Sequence, residues 1–150
     1  MTTKKFEKLV NEFNNEMYLI KKGVRSCFLT TITGPVKAVI ENKEIIDFSI
    51  EETIFKLTQL VIGENLSYVY YPTKLDDGNK DFATYTFWIA RYSHQTLIIN
   101  EIKDKPSNIV TEWIKGKLLG YSDGAMETFL VNKIVRKFAD DKYRENERKV

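Results

Sequence analysis

The 150-residue chain carries 23 Lys and Arg against 21 Asp and Glu, a formal net charge of +2, with 43% hydrophobic and 29% charged residues. That balance fits one globular domain over 1–150 and excludes disordered, collagen-like and membrane-embedded classes. The net charge is too small to gather nucleic acid or anionic membrane by a long-range field. One cysteine and one histidine supply neither an internal disulfide nor a four-donor zinc site, so a cytoplasmic protein with no metal and no cofactor is expected.

Phe6, Leu9, Val10, Phe13 and Met17 recur on a 3.6-residue period and predict an N-terminal helix over Thr3–Leu19, ended by Gly23. Glu7, Asn11 and Glu12 interrupt that start, so no secretory signal is expected. Val24–Thr33 is β-branched and aromatic and reads as a strand, broken at Gly34-Pro35. Val36–Glu41 and Glu44–Phe48 follow as two more strands, joined by Asn42-Lys43 as a two-residue hairpin turn. Ser49, three residues before Glu52, forms a capping box and opens a central helix over Ile50–Ile62, with Gly63 as its stop.

Leu66–Tyr71 and Phe82–Tyr92 predict a hairpin around the polar loop Pro72–Lys80, which holds Asp77-Gly78. Apolar side chains fall on both parities of Phe82–Tyr92, which marks a central strand. Thr96–Ile102 reads as a sixth strand. Val110, Trp113, Ile114 and Leu118 then trace a helix capped by Ser107 and ended by Gly120, with Trp113 read as a core anchor. Ser122 caps a last helix striped by Met126, Phe129, Leu130, Ile134 and Phe138, and 141–150 form a solvated, fraying tail. The expected fold is α+β, with a mainly antiparallel sheet of about six strands, an N-terminal helix, a central helix and a C-terminal αα-hairpin.

Chemistry-bearing patterns are few. Cys27 and His94 could form a nucleophile pair only within hydrogen-bond reach, and an apolar strand beside a polar turn favours a core thiol and a surface imidazole. Asp76, Asp77, Asn79 and Asp81 crowd together, but without EF-hand spacing they read as a hairpin tip. No phosphate-cradling glycine loop and no G-x-S-x-G elbow occurs. An enzyme is therefore disfavoured. Tyr68, Tyr70, Tyr71, Tyr85, Phe87, Trp88 and Tyr92 make the two strands around Asp77 unusually aromatic. Tyrosine is enriched at protein interfaces, so Tyr68, Tyr70 and Tyr71, with Lys74, Asp76 and Asp77 of the adjacent loop, are the expected partner-binding residues.

Gly116 in a helix interior costs about 1 kcal/mol against Ala, which implies a close neighbour there. The stretch Trp113 to Ser122, WIKGKLLGYS, and the upstream ITGPVKAVI resemble segments of small accessory proteins from bacteriophages and mobile elements. That resemblance covers about a sixth of the chain and implies a genomic setting. It points to a protein that binds and inhibits a host protein, with anti-CRISPR-like action on a defence factor as one form. The alternative is DNA binding through the C-terminal helices as a helix-turn-helix, with Lys115, Lys117, Lys133, Arg136 and Lys137 on phosphates. Asp123 and Glu127 at the start of the second helix oppose that alternative.

Overall fold

The computed structural model describes residues 2–73 and 80–148. The chain forms two compact units, Met1–Asp104 and Lys105–Val150. In the first, the order is α1 (Thr3–Lys21), β1 (Cys27–Pro35), β2 (Val39–Glu41), β3 (Glu44–Asp47), α2 (Ile50–Gly63), β4 (Ser67–Pro72), β5 (Phe82–Ala90) and α3 (Ser93–Ile102). The second holds α4 (Ile109–Leu118) and α5 (Asp123–Arg148). The class is α+β, with five strands among the described residues rather than six.

The strands make two antiparallel sheets, one ordered β1-β5-β4 and one formed by β2 and β3 alone. β5 is the central strand, as its two apolar parities require. Phe87 and Ile89 face α1 and α2 in a core with Phe13, Met17, Ile20, Phe28, Ile32, Leu57 and Val61. Trp88 faces the other way, where its indole N–H donates to the Tyr71 hydroxyl at 3.1 Å and where α3 packs on β4 and β5.

Several sequence expectations need correcting. Thr96–Ile102 is not a strand: the residues from Ser93 form α3, whose buried positions Gln95, Thr96, Ile99 and Ile102 follow helical spacing. The Tyr92 backbone N–H donates to Gln95 Oε1 at 3.0 Å and starts that helix, so local capping overrides the β-branched content. β1 is also not broken at Gly34-Pro35 but runs through both residues. It pairs with β5 from Cys27 opposite Ala90 to Pro35 opposite Phe82, which leaves β2 and β3 as an exposed hairpin. Asn42 and Lys43, at φ of 52° and 67°, form the expected tight two-residue turn.

Three helix ends, those of α1, α2 and α4, follow one rule. Gly23, Asn65 and Gly120 all sit at positive φ, and behind each a pair of backbone bonds closes the last turn, as in Gly120 N–H to Lys117 O and Tyr121 N–H to Gly116 O. Asn65, not Gly63, therefore terminates α2. Asn108 rather than Ser107 caps α4, its Oδ1 accepting from the Thr111 N–H at 3.0 Å. Ser122 Oγ accepts from the Ala125 N–H at 3.1 Å and caps α5, which runs helical to Arg148. Trp113, expected in a core, is 36% exposed.

Inside the second unit, Gly116 of α4 meets Met126 of α5 so closely that a Cβ on Gly116 would lie 2.0 Å from the Met126 sulfur. Gly116→Ala should therefore lower thermal stability by about 1–3 kcal/mol despite its better helix propensity. In a Met126→Ala background the same change should become stabilising, and circular dichroism melts of the four proteins would show this sign reversal. In the first unit, Thr53 is fully buried on α2 and its hydroxyl has no hydrogen-bond partner among the described residues. Thr53→Val should raise the urea midpoint, by about 1 kcal/mol of stability.

Candidate functional site

β4 reads Ser-Tyr-Val-Tyr-Tyr-Pro, and the two-residue strand period sends Tyr68 and Tyr70 to the α2 side of the sheet and Val69 and Tyr71 to the other. Tyr68 and Tyr70 stack at 6.2 Å with their planes 7° apart, and both lie 6.0 Å from Phe87, across on β5. Tyr85 meets Tyr70 edge-on at 6.1 Å. The Phe87 end of this ladder is core. The Tyr70 end, 43% exposed, is surface.

Beside the ladder α2 presents Glu51, Ile54, Phe55, Thr58 and Gln59, and these enclose with Tyr68, Tyr70 and Tyr85 a cleft of about 410 Å³. Phe55, 63% exposed, forms its outer lip. α2 is amphipathic, with Ile54, Leu57 and Val61 buried, so Phe55 is an apolar residue on the wet face. Sequence reading of the site missed Glu51, Phe55, Gln59 and the contribution of Tyr85. The legible signal was Phe55, out of phase with the buried stripe.

The same strand is a sheet edge. The Thr73 N–H donates to the Thr84 carbonyl, and this fixes the alternation: odd residues of β4 bond to β5, while Tyr68 and Tyr70 turn their N–H and C=O groups outward. Those groups have no partner among the described residues. Pro72, with no N–H, ends the edge. An open main-chain edge bordered by stacked aromatic rings and an apolar lip can accept an extended peptide: the backbone adds as a strand and alternate side chains drop into the cleft.

Of the other expected partner-binding residues, Tyr71 is turned to the opposite face, held by Trp88, with the Lys103 ammonium 5.9 Å from its ring. Lys74, Asp76 and Asp77 lie outside the described residues, as does Asn79 of the acidic loop. Among the described residues no three His, Cys, Asp or Glu side chains gather as a metal site.

The cations of the DNA-binding alternative divide into two groups. Lys117 Nζ lies 2.6 Å from Asp123 Oδ1 and donates to the Tyr121 carbonyl at 3.2 Å, tying α4 to the start of α5, and Lys115 is half-buried. Lys133, Arg136 and Lys137 are exposed on α5 without ion-pair partners among the described residues. Lys133 and Lys137 line a second cleft of about 410 Å³ with Ser107, Asn108, Ile109, Val110, Leu130 and Ile134. Among the described residues no helix is long and apolar enough to cross a membrane.

Cys27 is 1% exposed, and burial pushes its thiol up to about 11. His94 stands exposed at the start of α3, stacked 5.5 Å from Tyr92. A buried thiol raised in this way is a weaker nucleophile at neutral pH, which disfavours a Cys-His pair. Comparison with protein families, curated proteins and solved structures finds no match to this chain.

The buried thiol has a consequence for stability. Its folded-state value lies above the ordinary 9.0, so the unfolded chain loses the proton first as pH rises. The stability that the neutral thiol contributes is whole below about pH 9 and is lost towards about pH 11. Urea titrations at about pH 8 and about pH 10 should show a smaller loss for Cys27→Ala than for the parent protein.

Proposed function

We propose that the protein is a binding module, that its ligand is an extended segment of another protein, and that the segment adds to the β4 edge over the cleft beside α2. The observation that carries this reading is the coincidence, at Tyr68 and Tyr70, of outward main-chain groups with rings that wall a cleft of about 410 Å³. Either feature alone is common on protein surfaces. Together they offer direction through hydrogen bonds and selectivity through side-chain pockets.

The likeness of WIKGKLLGYS and ITGPVKAVI to phage accessory proteins supports a host protein as the partner and inhibition as the outcome. A host defence factor, blocked in the manner of an anti-CRISPR, is the form of inhibitor this setting favours. The buried, protonated Cys27 supports binding over covalent catalysis.

DNA binding is the second reading, favoured by Lys133, Arg136 and Lys137 on one side of α5, which have no ion-pair partner among the described residues. Lys117, already bonded to Asp123, contributes less to it.

Capture from host lysate with tagged protein, followed by mass spectrometry, should return a stoichiometric protein partner. Tyr70→Ala and Phe55→Ala should each weaken that partner's affinity by about 1–2 kcal/mol, roughly 5- to 30-fold, while the melting temperature stays within a few degrees. Binding untouched by both changes would remove the cleft from the reading. Duplex DNA bound with a steep salt dependence, and weakened by Lys133→Ala, would put the second reading first.

A further inference from the structure

α5 is 26 residues long and α4 only 10. At about 1.5 Å per residue they span roughly 39 Å and 15 Å, so α4 is too short to line α5 from end to end. Met126 and Leu130 are the buried residues of the α5 stripe. Next to them on the helix surface, Val131, Ile134, Val135 and Phe138 are 49–65% exposed. Their offsets of 0, 3, 4 and 7 make one seam, the spacing by which helices pack on one another.

Charges close this seam at both ends. Glu127 lies one turn before Val131 and Lys142 one turn after Phe138, on the same line along the helix. Glu127 has no ion-pair partner among the described residues, and the Lys142 ammonium rests over the Phe138 ring at 5.5 Å. The arrangement is self-complementary in one orientation only. A two-fold axis between Ile134 and Val135 sets Ile134 against the partner's Val135, Val131 against the partner's Phe138, and Glu127 against the partner's Lys142, with each pair occurring twice. A parallel pairing would instead oppose Glu127 to Glu127 and Lys142 to Lys142.

We propose that a second copy of this chain covers the seam, in an antiparallel contact between the two α5 helices with Glu127–Lys142 pairs at both ends. With its closing charges the seam runs from Glu127 to Lys142, about two heptads, which places the interface at the small end of specific contacts and the association at roughly micromolar concentration. The surface lies wholly within the second unit and does not depend on the peptide-binding reading.

Sedimentation equilibrium of the full chain, from low to high micromolar protein, should show a monomer–dimer equilibrium that Phe138→Lys abolishes. Glu127→Lys should weaken dimerisation about tenfold, since two attractive pairs become repulsive. Adding Lys142→Glu should restore it to within about threefold, because the exchanged charges match again. Orientation is read by cross-linking in a Cys27→Ala background: an equimolar mixture of Val131→Cys and Phe138→Cys should form a mixed disulfide, and Val131→Cys alone should not. A protein that stays monomeric throughout overturns the proposal, and so does association indifferent to Phe138→Lys in a variant that keeps its helicity. A doubly exchanged variant that does not recover, or self-linking by Val131→Cys, overturns it as well. Should Phe138→Lys lose helicity, the surface charge pair and the cross-links decide the matter.

Discussion

The larger unit depends on a strand that is buried on both faces over most of its length and has no free edge. β5 pairs with β1 on one side and β4 on the other, and its consecutive residues Phe87, Trp88 and Ile89 are buried alternately against α1 and α2 and against the α3 side. Every other element of the unit's main sheet is placed by reference to this strand. Because β5 uses both sets of its main-chain groups, the two strands beside it must each carry an edge. β4, the one with the tyrosines, thereby becomes the place where unspent hydrogen-bonding groups meet aromatic surface. A central strand buried on both faces and an open flank are two sides of one arrangement.

The tyrosine ladder shows how a core can extend continuously into a surface. Phe87 is fully buried in the core against the Phe13 ring, Tyr68 is half-buried beside it, and Tyr70 reaches solvent. The rings near Phe87 pack against those near the lip, so the exposed end would have less conformational entropy to lose if the proposed segment binds there. A flexible side chain at the same place would bring contact area without that advantage.

Much of this was legible in the chain, and the failures have physical reasons. The helical stripes, the Ser49 capping box, the Asn42-Lys43 turn and the central position of β5 are local or periodic signals, and they carried over. α3 was misread because Thr, Ile and Leu in Thr96–Ile102 favour a strand by type, while the spacing of Thr96, Ile99 and Ile102 and the Gln95 cap specify a helix. The partner of β1 was not legible because pairing across some fifty residues leaves no local trace. Of the site, Tyr68 and Tyr70 followed from parity alone. Tyr71 separates from them by the same parity. Phe55 and Gln59 arrive from a different helix, and only the packing of α2 over the sheet brings them to the tyrosines.

The two tryptophans fall one in each unit. Trp88 is 1% exposed and hydrogen-bonded to Tyr71, whereas Trp113 is 36% exposed. Their indoles therefore sit in different polarities, and the dry one emits at shorter wavelength than the wet one. The protein carries a built-in optical label for each unit, and emission followed at both ends of the band reads whether the units lose their structure in one cooperative step or in two, with no dye attached.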